Sequence, residues 1–257
     1  MSIKSLRTMS SLKKSLVLVA SLLAGTAAIA IGTARPGFAQ IVDPVAFCNA
    51  SGLNVIVGTP NNDTLNGTPG ADCIVALGGQ DIINSFGGND IVFGGEGNDT
   101  INGGPGNDEL HGGGGQDTIS GNEGNDVLLG EGGDDRLGGN ADNDTLLGGE
   151  GQDQLFGDAG DDVLVGDDGD DQLSGGDGAD VLLGGAGNDR LAGNGGNDIT
   201  LDGGPGDDQL NGDDGNDILN DCAGHNVLNG GAGTDICQRD PSQSSVTSCE
   251  SLFVCAS

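Results

Sequence analysis

Aspartate returns every nine residues, at Asp63, Asp72, Asp81, Asp90, Asp99, Asp108, Asp117, Asp126, Asp135, Asp144, Asp153, Asp162, Asp171, Asp180, Asp189 and Asp198. One extra residue near Leu201 resets the count to Asp208, after which Asp217, Asn226 and Asp235 follow. Carboxylates in so strict a register are oxygen ligands for a hard cation, and these aspartates are the candidate metal ligands. Glycine keeps the same beat. Each carboxylate therefore arrives beside a turn whose backbone carbonyls can help complete a shell of roughly six to eight oxygens.

With the aspartate as position 6, one unit reads GGEGNDTIN from Gly94 to Asn102 and the next GGPGNDELH from Gly103 to His111. Glycine tolerates positive φ and close backbone approach, so the GGxGxD half predicts a tight turn. The last three residues predict a short strand whose centre faces inward and whose flanks face outward. That centre, position 8, is Leu, Ile or Val except at Thr200, beside the insertion, and Cys237. Two turns and two strands close one coil, and about ten coils stack at ~4.8 Å. A solenoid can fill a thin core with one aliphatic side chain per strand, which suits a chain with 2% aromatic residues and neither Trp nor Tyr.

The unit resembles the RTX, or haemolysin-type, calcium-binding nonapeptide GGxGxDxUx, and the resemblance covers Gly58 to Cys237. It implies an all-β, right-handed parallel β-roll, a β-solenoid of 18-residue coils. It also implies multiple calcium ions between successive turns on the same edge, held by position 6 carboxylates and turn carbonyls. Electrostatics supports this independently. Aspartates stacked about 4.8 Å apart repel by roughly 1 kcal/mol per neighbouring pair even in water, so the metal-free chain should be loose and cation binding becomes folding free energy. Magnesium, which dehydrates reluctantly, is the poorer candidate. Asn61 and Asp142 replace the position 4 glycine and Asn226 replaces the aspartate, so sites at those turns should be weaker. His225 and His111 read as outward-facing residues rather than ligands.

The repeats occupy residues 58–238. Residues 1–39 differ: Lys4, Arg7, Lys13 and Lys14 precede an apolar run from Leu16 to about Ile31, and Gly37-Phe38-Ala39 places small residues at a cleavage site. This predicts a secretory signal peptide cleaved after Ala39, with an N-terminal cap over 40–57 and a Cys-containing C-terminal cap or tail over 239–257. The leader holds five of the 8 basic residues and no acids, leaving Arg136, Arg190 and Arg239 against 40 carboxylates. Such a surface repels nucleic acid and anionic lipid and demands cations. After cleavage no integral membrane segment remains. Cys48, Cys73, Cys222, Cys237, Cys249 and Cys255 lie only at the two ends of the array. An even number in an exported chain predicts up to three disulfides as end staples, with fifteen pairings open.

The two outer faces differ. Alternate units fall on opposite sheets, and the sheet of Asp63 shows mainly Thr, Asn, Ser, Gln and Arg outward. The sheet of Asp72 shows Val75, Ile91, Phe93, Val127, Leu129, Leu147, Val163, Val165, Val181 and Leu183. An apolar face of this size predicts a cover, either a second copy in a homodimer or an extracellular protein partner. No HExxH or GxSxG motif occurs, and the caps are too short for a catalytic domain. The expectation is a secreted, extracellular, non-catalytic calcium-binding protein with a structural, adhesive or interaction role; the periplasm and the cell surface are further addresses. The alternative is a calcium-dependent surface-recognition module or accessory domain of a secreted enzyme or toxin system. Relatives commonly leave the cell by a C-terminal signal, from which the N-terminal leader departs.

Overall fold

Glycines at positions 2 and 4 set the path of the chain. Gly95 and Gly97 take φ of 103° and 126°, which glycine adopts without a Cβ clash. A methyl group on Gly97 would overlap the carbonyl of Gly79, one coil earlier. The coils thus stack backbone on backbone at Gly97, whereas other turns carry a larger residue at positive φ, as at Asn122, Glu131 and Asp142.

The computed structural model describes residues 43–221, 223–239 and 245–254; the leader and its cleavage site lie outside the described residues. The chain divides into two units at Gly52. In the first, helix α1 (Pro44–Ser51) begins with Asp43, whose Oδ1 accepts from the Ala46 N–H at 3.0 Å, and ends at Gly52 with φ 80°. An N-cap aspartate followed by proline, and a left-handed glycine at the end, are ordinary helix punctuation. Among the described residues no helix is long and apolar enough to cross a membrane.

The second unit is a parallel β-solenoid. Its strands alternate between a 12-stranded sheet and an 11-stranded sheet, each strand pairing with the one two places on. The array reaches about eleven coils rather than ten. The excess comes from the ends: β1 (Asn54–Val57) opens one sheet, and β22 (Ser245–Thr247) and β23 (Ser251–Val254) extend both. The C-terminal segment thus continues the repeat geometry without its sequence signature.

The division of each unit into turn and strand also differs from expectation. From β5 (Ile91–Glu96) to β16 (Arg190–Gly195) the strands are six residues long. They run through positions 7 to 9 and on across positions 1 to 3 of the next unit, leaving a three-residue turn such as Gly97-Asn98-Asp99. Pairing of β5 with β7 (Glu109–Gly114) skips Gly94 and resumes at Gly95↔Gly113. A single kink at position 1 therefore lets the hydrogen-bond ladder continue where the glycine pattern alone reads as loop.

Position 8 forms the core. Ile74, Ile83, Val92, Ile101, Leu110 and their successors to Leu228 are at most 2% exposed and form one cluster with Cys237. Burying each such side chain contributes about 1.5–3 kcal/mol. At the insertion the core residue is Leu201, not Thr200: Leu182 pairs with Leu201 and Val181 with Thr200. Ile199 is the extra residue, 54% exposed. The chain bulges there rather than losing its inward aliphatic.

The apolar face of the 12-stranded sheet is less open than its composition implies. Val75, Ile91, Phe93, Leu147 and Val165 are buried, and Val127, Leu129, Val163, Val181 and Leu183 are half-buried. Leu129, Leu147, Val165 and Leu183 stand in direct cross-strand register, so each shields its neighbours. At the C-terminal end a Cys237–Cys249 disulfide with a Cα–Cα distance of 6.0 Å ties β21 (Ile236–Arg239) to the segment between β22 and β23. Cys48 and Cys73 are each disulfide-bonded.

Candidate metal centre

The position 6 aspartates point into the solenoid. All from Asp72 onward are at most 2% exposed, and each follows one rule. The Asp99 N–H donates to Oδ1 of Asp117 at 2.8 Å, the Asp117 N–H to Asp135, and so on coil after coil. Odd and even units make two such ladders, one along each edge: Asp63, Asp81 and Asp99 begin one and Asp72, Asp90 and Asp108 the other. At the insertion the step lengthens to nineteen residues, between Asp189 and Asp208 and between Asp198 and Asp217, and neither ladder breaks.

The second oxygen is the informative one. In Asp81, Asp99, Asp126, Asp162, Asp217 and most of their counterparts, Oδ2 is buried with no hydrogen-bond donor. It lies against the position 1 glycine. A methyl group on Gly94 would lie 2.6 Å from Asp99 Oδ2 and 2.5 Å from the Gly112 carbonyl of the next coil. Two acceptors thus lie side by side at Gly94 with no hydrogen-bond donor to the carboxylate oxygen. A buried carboxylate oxygen left without a donor is costly, and a hard cation is the group that satisfies both. Among the described residues no three His, Cys, Asp or Glu side chains converge, so the remaining ligands would be main-chain oxygens. Calcium, which accepts carbonyl ligands in irregular geometry, fits this donor set.

The energetics agree. Burial pushes Asp108, Asp117, Asp144, Asp171 and Asp198 up to about 7 and Asp126 up to about 8. The N–H of the preceding coil's aspartate pulls against this, and the charge of ladder neighbours adds to it. Asp135, Asp153 and Asp162 rise to about 6. Asp81, Asp90, Asp99, Asp180, Asp208 and Asp217 move the same way for the same first cause.

Three places depart from the rule, and each shows what the rule needs. At Asp63 and Asp72, Oδ2 is already satisfied: the Thr59 N–H and Oγ1–H donate to Asp63 Oδ2 at 2.6 and 2.9 Å, and Thr68 does the same for Asp72 at 2.5 and 3.0 Å. These first turns close through a threonine at position 2, a signal present in Gly58-Thr59-Pro60 and Gly67-Thr68-Pro69. At Asn226, Oδ1 accepts from the Asp208 N–H at 2.8 Å while Nδ2 donates to the Ala223 carbonyl at 2.7 Å. An amide satisfies both partners by itself, where a carboxylate would set its second oxygen toward a carbonyl. At the far end, Glu250 Oε2 accepts from the Asp235 N–H at 2.6 Å and takes the place of the next aspartate. Its spacing is fifteen residues, outside the nine-residue beat.

A second ladder escapes the repeat formula. Position 5 Asn and Asp side chains accept from the backbone N–H of position 5 one coil later, as in Asn107→Asn89, Asn125→Asn107 and Asn143→Asn125 at 3.1–3.2 Å. His225 joins it through its N–H to Asp207 Oδ1 at 2.8 Å. His111 is the other surprise. It stacks on Phe93 with centroids 4.8 Å apart and lies 3.2 Å from Glu109 and 3.0 Å from Glu131. Burial opposes its charge, but hydrogen bonds and attraction from the two glutamates outweigh it and push its pKa up to about 9. It clamps adjacent strands of the 12-stranded sheet, away from the ladders.

Fold and site together define a class: a parallel β-solenoid whose two edges carry buried carboxylate ladders opening onto main-chain carbonyls. The RTX calcium-binding nonapeptide repeat matches in seven stretches between residues 50 and 237, and the chain belongs to that family. No curated protein matches it significantly.

Proposed function

We propose that this is an exported, non-catalytic calcium-binding protein whose solenoid folds as calcium binds and serves a structural, adhesive or interaction role outside the cytoplasm. The observation that carries this is the row of buried Oδ2 atoms without donors, several of them beside a position 1 carbonyl, as at Gly94, Gly157 and Gly166. Position 6 aspartates from Asp81 onward would hold the ions with turn carbonyls; Asp63 and Asp72, closed by threonine, would contribute least. Export is supported by the leader pattern and by the disulfides at the ends of the array. The half-buried Val127, Val163, Val181 and Leu183 are the surface through which a second copy or an extracellular protein would dock.

Far-UV circular dichroism of the purified protein tests the central claim. Titration with calcium after chelation should restore β signal, and magnesium at the same concentration should not. A spectrum indifferent to calcium would remove the proposal. A protein that stays monomeric by light scattering across micromolar concentrations would remove self-association.

A further inference from the structure

The last full turn on one edge has lost its carboxylate at position 6, where Asn226 stands. The same unit carries an aspartate at position 1, Asp221, where glycine is the rule. Position 1 faces inward, and Asp221 is 0% exposed. Its Oδ1 accepts weakly from the Ala223 N–H at 3.4 Å, and its Oδ2 is buried with no donor. The preceding turn on this edge contains Gly203 and Asp208. A methyl group on Gly203 would lie 2.6 Å from Asp208 Oδ2 and 2.7 Å from Asp221 Oδ2. Both oxygens therefore lie against Gly203 and next to each other, and neither has a donor other than a proton shared between the two carboxyls. At Gly94 the corresponding position is flanked instead by one ladder carboxylate and a position 1 carbonyl.

We infer that Asp208 and Asp221 form a calcium site of altered ligand set, in which a position 1 carboxylate restores the charge lost at Asn226. An ordinary pair of turns on this edge supplies two ladder carboxylates; here the two come from Asp208 and Asp221. Asn226 keeps the structural half of its role by accepting the Asp208 N–H, and Asp221 takes the electrostatic half. Two carboxylate oxygens and nearby turn carbonyls suit a divalent oxygen-seeking cation. Without a cation the two carboxyls share a proton, Asp221 donating to Asp208, and a divalent ion would take that proton's place.

This rests on the calcium-binding reading above, and the count of bound ions separates the two. Calcium stoichiometry of the full chain would be measured by equilibrium dialysis and native mass spectrometry. Asp221→Asn should bind one calcium fewer than the unaltered protein, with the other ions retained. The double variant Asp221→Gly/Asn226→Asp, which restores the family residue at both positions, should bind the original number. An unchanged count in Asp221→Asn, or one additional ion in the double variant, would overturn the inference and leave the broader reading standing. If Asp221→Asn fails to gain β signal in calcium, the double variant decides alone. An unaltered protein that binds no calcium would overturn both.

Discussion

Removing calcium should make this protein unstable in base and stable in mild acid, the reverse of ordinary acid denaturation. The buried ladder aspartates have folded-state pKa values raised from 3.8 to about 6–8, as at Asp162, Asp144 and Asp126. A group raised in this way binds its proton more tightly when folded. Its contribution is complete below about pH 4 and is lost as pH rises through 6 to 8. At ~1.4 kcal/mol per unit, ionising one such group in place costs on the order of 4 kcal/mol. A few of them match the whole stability of a typical domain, about 5–15 kcal/mol. The metal-free chain at pH 8 must therefore stay unfolded or keep protons it would otherwise lose. Circular dichroism of chelated protein dialysed into metal-free buffer should show strong β signal at pH 5, loss between pH 6 and 8, and recovery at pH 8 on adding calcium. Equal or greater β signal at pH 8 than at pH 5 without metal would refute the account of the ladder as a set of desolvated carboxylates.

Three comparisons probe the frame around the ladder. Gly97→Ala meets the Gly79 carbonyl at a φ of 126° and should raise the calcium midpoint by circular dichroism, whereas Gly70→Ala, with nothing within 4 Å, should not. Leu201→Ala should cost about 2–5 kcal/mol in urea unfolding with calcium bound, while Thr200→Ala stays within about 0.5 kcal/mol; the opposite order would contradict the register. Thr68→Val removes the hydroxyl donor to Asp72 Oδ2 and should destabilise the first coil by about 1–3 kcal/mol, read as faster amide exchange at Gly67 and Asp72 than at Asp144.

The alternation of glycine, aspartate and aliphatic was enough to read the sheets, the core column and the stacking of carboxylates along each edge, because all three obey one period; that the carboxylates are buried was not read from it. The strand limits were not legible, because positions 1 to 3 look like loop until a neighbouring coil offers hydrogen bonds. The register at Ile199 was ambiguous because three candidates for the inward place, Ile199, Thr200 and Leu201, stand together and only packing chooses. The threonine closures at Asp63 and Asp72, the role of Asp221 and the substitution of Glu250 for an aspartate break the beat, so periodicity hides them. Helix α1 was missed although Asp43-Pro44 and Gly52 mark its ends, since it is short and lies in the segment read only as an N-terminal cap.

The direction of the two hydrogen-bond ladders has a consequence for how such an array ends. An aspartate N–H is satisfied by the carboxylate of the coil that follows, while a position 5 N–H is satisfied by the coil that precedes it. No coil is complete by itself, and whole coils could be inserted or deleted in the interior without leaving a group unmatched. The last coil alone would always want a successor. Glu250, reaching the Asp235 N–H from outside the repeat, stands in for that successor on one of the two edges.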